Sequence, residues 1–323
     1  MAPEDPFDIL ERGETMKIQN RREFLQISAS IAPMSLIAAA GVTASSSAAP
    51  AAEKGMRLGL IIGVGKDPEA AMKKVHDLGL PTCQPSTEDL SPEMLERLKA
   101  ALGKYQIEAT ALNSSGPGPA QYDFYHGPET IGLVPRQYRQ ARATHFKKAI
   151  DFAKQCGIPA IHTHFGFIPE NPNDPVYAEV IPALREVMQY AKDSGLNVLY
   201  ETGQETPITL LRAIHDVGLD NQFINLDCAN LILYGKGNPG DALDVIGHLV
   251  RGLHAKDGLF PTNPRELGKE VAIGQGKANF PVLIRKLKAL NYRGPVTIER
   301  EISGPKQMED IKKEKVYLEK LIA

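Results

Sequence analysis

NVLYETGQE (197–205), FINLDCANL (223–231), RGLHAKDG (251–258) and PVTIERE (295–301) are four strand-like segments met in succession along the chain. Each alternates its residues at period two, the side-chain period of a β-strand. The alternation puts Glu201, Asp227, His254 and Glu299 late in their strands and on one side of them, with Val198, Tyr200 and Leu226 on the other. Their spacings are 26, 27 and 45 residues, which fit successive strand–helix units with one lengthened loop. In a closed parallel barrel the strand ends converge on one face. Three carboxylates and one imidazole converging there make a site for one divalent metal ion. The oxygens suit Mg, Mn or Co, and the single nitrogen admits Zn.

Outward from these segments, the whole body from Met56 repeats a short apolar strand pattern and a longer helical one. Strands are expected at 57–62, 82–85, 108–113, 160–165, 197–201, 223–227, 252–255 and 296–299. Asp67-Pro68-Glu69 and Ser91-Pro92-Glu93 are helix openings, a capping side chain followed by proline in the first turn. Gly157, Gly195 and Gly218 sit where helical patterns stop. Eight such units over residues 55–323 predict a single (β/α)8 TIM barrel. A doubly wound sheet is the competing architecture. It would want a glycine-rich dinucleotide turn after the first strand, and Gly63-Val64-Gly65-Lys66 lacks the third glycine. The proline-rich loops 116–119 and 169–175 and the long segment 257–278 all follow strands, so they belong to the face that carries the pocket.

Residues 1–52 read differently, as an export signal and cleavage region. Asn20-Arg21-Arg22-Glu23-Phe24-Leu25-Gln26 precedes an apolar stretch, 27–42, and then ASSSAAPAA (44–52). That is the order of charged region, apolar region and small-residue cleavage zone. The paired arginines resemble a twin-arginine signal, which export machinery reads as an address and which implies a periplasmic or otherwise extracytoplasmic protein. A stable membrane anchor is the alternative. The stretch is interrupted by Ser28, Ser30, Pro33 and Ser35, and it is shorter than the ~20 residues a span needs. Met16 is an alternative start.

Composition narrows the function classes. Residues 1–52 hold four basic and six acidic groups of the 37 and 39 in the chain, so the body is balanced and gives no electrostatic reason to expect nucleic acid. Cys83, Cys156 and Cys228 form no CxxC pair, so neither a disulfide framework nor a thiolate zinc site is indicated. Other inward positions are candidates for substrate contact. His162 and His164 share a face, with His164 nearer the strand end; Lys256 follows His254 at period two; Asn113 ends the third strand. Each has a plainer reading as a structural hydrogen-bonding or salt-bridging group. Glu301 is a local rival to Glu299, which is preferred because it follows the apolar run directly. Gly274-Gln275-Gly276 reads as a tight turn more than as a phosphate cradle.

With YETGQETP (200–207), NLDCANLILYGKGNP (225–239), HAKDGLFP (254–261), IGQGKANFP (273–281) and GPVTIEREISG (294–304), the body resembles the xylose-isomerase-like superfamily, in its sugar phosphate isomerase/epimerase branch. The resemblance implies one metal on Glu201, Asp227, His254 and Glu299. It implies that Glu201 and Glu299 double as the acid/base pair at a carbon beside a carbonyl, with His164, Lys256 and Asn113 left as substrate-binding candidates. A homo-oligomer is a further expectation, since members of this branch often form dimers or tetramers. Three positions depart from the ketohexose 3-epimerases: Asn230 stands where they have histidine, Pro207 where they have glutamate and Phe260 where they have arginine. The reading is therefore a metal-dependent isomerase or epimerase of a free sugar, keto-sugar or polyol. The runner-up is a lyase or dehydratase that starts from the same proton abstraction, either inosose-dehydratase-like or cleaving a 3-keto-glycoside. Phosphodiester cleavage at a trinuclear zinc site would want more inward histidines than this chain's eight supply. A sugar-binding barrel without chemistry would have lost one of the two glutamates.

Overall fold

A computed structural model describes residues 55–323; the export signal expected at residues 1–52 lies outside the described residues. The strands are β1 (Arg57–Gly63), β2 (Thr82–Ser86), β3 (Glu108–Ala109), β4 (Leu112–Asn113), β5 (Ala160–Thr163), β6 (Asn197–Glu201), β7 (Gln222–Asp227), β8 (Val250–Ala255), β9 (Asp257–Leu259), β10 (Lys269–Val271) and β11 (Pro295–Ile298). β1 pairs in parallel with both β11 and β2, so the sheet closes on itself. This is the expected eight-stranded barrel, with its third strand in two pieces. β2 pairs with β3 at Cys83–Ala109 and with β4 at Ser86–Asn113, so the third strand needs one more residue than its neighbour to cover the same distance. Such an extra residue is a bulge, and it breaks the strand at Thr110-Ala111, after Thr110 N has bonded Cys83 O at 2.9 Å.

Helices follow where the caps put them: α1 (Pro68–Asp77), α2 (Pro92–Tyr105), α3 (Gly127–Thr130), α4 (Arg136–Cys156), α5 (Pro175–Ser194), α6 (Pro207–Val217), α7 (Asn230–Leu233), α8 (Pro239–Ile246), α9 (Phe280–Ala289) and α10 (Pro305–Ile322). The Asp67, Ser91 and Thr206 side chains accept from the first-turn amides of α1, α2 and α6, satisfying donors that a helix start leaves open. The outward strand residues Val198, Ile224, Leu226, Leu253, Val296 and Ile298 are buried against this helical ring.

The barrel interior changes character along its axis. Low in the barrel, Ala111, Ala160 and Leu199 form a small apolar cluster with Phe223 packed on it. Above it lie fully buried polar residues, Gln84, Asn225 and Thr297. Gln84 Nε2 donates to Asn225 Oδ1 at 3.2 Å. Gly252 makes room for this layer, because a Cβ there would stand 2.2 Å from Asn225 Oδ1.

The segment 257–278 holds a feature that its lack of periodicity concealed. β9 and β10 pair as an antiparallel hairpin, and the turn after it folds back onto Asp257. The Asp257 carboxylate accepts from the amides of Gly258, Gly274, Gly276 and Ala278 at 2.9–3.0 Å. Gly276 is obligatory there, since a Cβ would lie 2.1 Å from Asp257 Oδ1. Asp257→Ala leaves the amides of Gly258, Gly274, Gly276 and Ala278 without their acceptor and is expected to lower stability by about 3 kcal/mol in chemical denaturation. An unchanged unfolding midpoint would show that the turn is held by something else.

Candidate metal centre

β6, β7, β8 and the residue after β11 deliver Glu201, Asp227, His254 and Glu299 to one point. One ligand atom from each lies within 4.8 Å of all the others. His254 Nδ1 is 3.0 Å from Glu201 Oε1, 2.9 Å from Glu299 Oε2 and 3.6 Å from Asp227 Oδ2. Glu299 falls one residue past the end of β11, but its amide still donates to Ala255 O at 3.1 Å, so the strand register continues to fix it.

The donor atoms fit a cation. Asp227 Oδ2, His254 Nδ1 and Glu299 Oε2 are buried without a hydrogen-bond partner, and they face one another. His254 Nε2 is 2.6 Å from Gln84 Oε1, the amide oxygen left over when Gln84 Nε2 donates to Asn225. Nε2 therefore carries a proton in either state, and Nδ1 is the nitrogen that faces the carboxylates and gives up its proton to a metal. Asp227 Oδ1 is taken by the amide of Asn230 at 2.7 Å, leaving Oδ2 for the centre.

The charges agree with the geometry. Burial alone would lower the basicity of His254, but Glu299 and Glu201 outweigh it and raise its pKa well above the usual histidine value. Burial works to raise Glu201, and the imidazoles of His164 and His254 overcome it, leaving that carboxyl well below the ordinary range. Glu299 is held down to about 2, against burial, by Lys256 and His254. Asp227 goes the other way, raised because burial wins. Without a metal, the cluster gathers positive charge as a proton on His254; a dication would displace that proton.

A cavity of about 460 Å³ opens above the four residues. Asn113 and His164 line it, as does Glu201. Lys256 is 1% exposed and lies beneath the wall: its Nζ reaches Asn230 Oδ1 at 3.1 Å and Glu301 Oε1 at 2.7 Å, and is 3.6–3.7 Å from Glu299 and Asp227. His162 is fully buried behind Glu201, with Nδ1 3.2 Å from Glu201 Oε2 and 3.3 Å from Asn113 Nδ2. Burial keeps its ring neutral by lowering its pKa. The alternation of the fourth barrel strand had already put His162 and His164 on one face; their contacts with Glu201 needed the barrel. Gln84 supports His254 from below and does not line the cavity. Tyr122 and Tyr234 also line it. Tyr122 comes from a loop and Tyr234 from the end of a four-residue helix, where no periodicity marked them.

A profile of the xylose isomerase-like TIM barrel family matches residues 72–321. The chain belongs to that family. The crystal structure of a xylose isomerase domain protein from Planctomyces limnophilus is similar, with 34% identity and a TM-score of 0.78, covering 83% of this chain and 97% of that one. L-ribulose 3-epimerase from Methylomonas sp. strain DH-1 is 26% identical over 68% of this chain and 71% of its own. A xylose isomerase-like TIM barrel protein from Mycobacterium smegmatis, solved in complex with magnesium, shares the fold at 17% identity and a TM-score of 0.62, covering 83% of this chain and 96% of that one.

Metal binding must displace the proton that the carboxylates hold on His254. Affinity for Mg²⁺ or Mn²⁺ is therefore expected to rise with pH, by up to about tenfold per unit while that proton is still being lost. Calorimetric titrations at pH 6 and pH 8 check this, with Asp227→Asn expected to abolish binding. Equal affinities at the two pH values would mean that metal binding displaces no proton from His254.

Proposed function

We propose that this protein is a divalent-metal-dependent isomerase or epimerase acting on a sugar, keto-sugar or polyol by proton transfer beside a carbonyl. The observation that carries this reading is the pair Glu201 and Glu299, two carboxylates that flank His254 Nδ1 and both border the cavity. Similarity to a sugar epimerase and membership of the family support it. A divalent ion held by Glu201, Asp227, His254 and Glu299 would supply Lewis-acid polarisation of a carbonyl oxygen.

The rest of the work falls to side chains. Glu299 is kept ionised by Lys256 and His254, so it is in the form that can accept a proton from carbon. The electron pair of the broken C–H bond moves into the carbonyl. Glu201, once it has taken a proton from water or a substrate hydroxyl, is the partner that returns one to carbon, on the opposite face for epimerisation or at the neighbouring carbon for isomerisation. His162 and His164, at 3.2 Å and 3.6 Å from its two oxygens, hold it in place. His164 and Asn113 on the wall are placed to take sugar hydroxyls.

The deciding experiment is turnover of a panel of ketoses and polyols by metal-loaded protein in D2O. Deuterium at the carbon next to the carbonyl, with an epimer or isomer as product, is the expected result. Release of water or an alcohol with an unsaturated product would assign the lyase reaction instead. Glu299→Gln should lower turnover by at least 10²-fold while circular dichroism stays unchanged. Wild-type turnover in that variant would remove Glu299 from the acid/base pair.

We also propose export through the paired arginines. Replacing Arg21 and Arg22 with lysine should leave the protein in the cytoplasmic fraction of its native host. Unchanged fractionation would rule out the twin-arginine route.

A further inference from the structure

We propose that Glu301 is a selectivity residue: its carboxylate cancels the charge of Lys256 and closes the cavity to sugars that carry phosphate or carboxylate groups. The inference rests on the sugar reading above and narrows it to uncharged substrates. Glu301 lines the cavity, its side chain is 58% exposed, and it stands outside the cluster that faces the metal position. One oxygen reaches Lys256 Nζ at 2.7 Å, and its backbone amide is held by Glu270 Oε1 at 3.2 Å. The carboxylate is thus fixed in the wall by contacts the metal centre does not require.

An anionic substrate needs a free cation or a set of open amides, and the two basic side chains beside Glu301, Lys256 and Arg300, already have carboxylate partners. Lys256 is surrounded by Glu301, Asn230, Glu299 and Asp227. Arg300 borders the cavity, but Glu270 at 2.6 Å and Asp310 at 3.1 Å hold its guanidinium. The amides of Gly274, Gly276 and Ala278 would form an anion nest, and the Asp257 carboxylate fills it. A phosphoryl group entering beside Glu301 would meet a like charge with only neutral donors such as the Tyr234 hydroxyl nearby, whereas sugar hydroxyls can donate to the same carboxylate.

Calorimetric titration of inorganic phosphate into the Mg²⁺-loaded protein tests this without turnover. The wild type is expected to bind weakly and Glu301→Gln about tenfold more tightly, because Lys256 loses its closest carboxylate. Glu301→Asp, which keeps the charge, should bind like the wild type. Thermal unfolding of each variant separates a local effect from a loss of fold. Phosphate binding by Glu301→Gln no tighter than by the wild type would overturn the proposal, as would equal gains in Gln and Asp variants. If no sugar is turned over while Glu301→Gln still gains phosphate affinity, the selectivity stands and the sugar reading falls.

Discussion

Mutual repulsion among Glu201, Asp227 and Glu299 is the constraint around which this barrel is arranged. Two unit charges 4 Å apart oppose each other by about 4 kcal/mol at an effective dielectric of 20, and here two carboxyl groups are buried with a third half-buried beside them. Such a group survives only if the backbone cannot relax and if positive charge is supplied. Parallel strand ends provide the first condition. Thr202 Oγ1 adds a brace, donating to Asp227 O at 3.1 Å and accepting from Asp227 N at 2.9 Å across neighbouring strands. His254 and Lys256 provide part of the second, and the unpartnered donor atoms between them match a dication for the rest.

The polar layer beneath follows from the same constraint. His254 can present Nδ1 upward only if Nε2 has a partner below, and Gln84 is that partner. Gln84 in turn needs Asn225, and Asn225 needs the space that Gly252 leaves. An all-aliphatic interior would have packed as well, but it would have left the imidazole free to turn.

Above the centre, the loops are pinned by charged groups. Glu88 accepts from Ser114 Oγ, Ser115 N and Gly116 N, while Arg142 donates to Pro117 O, Gly132 O and Pro119 O. Glu170 takes the amide and hydroxyl of Thr206, tying the loop after β5 to the start of α6. Asp257 does the same for the turn after the hairpin. These contacts fix the wall before any substrate arrives, which lowers the ordering cost of binding.

Alternation at period two is a local property, so the sequence by itself determined the eight strand positions, the barrel class and the inward set Glu201, Asp227, His254 and Glu299. Helix starts were equally local, because Asp67, Ser91 and Thr206 act on amides three residues away. Periodicity does not reach the bulge at Thr110-Ala111 or the β9–β10 hairpin, since both depend on which strand lies alongside. Nor could it separate Glu299 from Glu301: both point inward, and only the register with β8 sends the first to His254 and the second to Lys256. The same holds for Lys256, whose neighbours come from the ends of two other strands, β7 and β11, and for the glycine turn that Asp257 fills from 17 to 21 residues away. Spacing along the chain told which residues share a face; only barrel closure decided which of their charges meet, because Coulomb energy depends on distance through space.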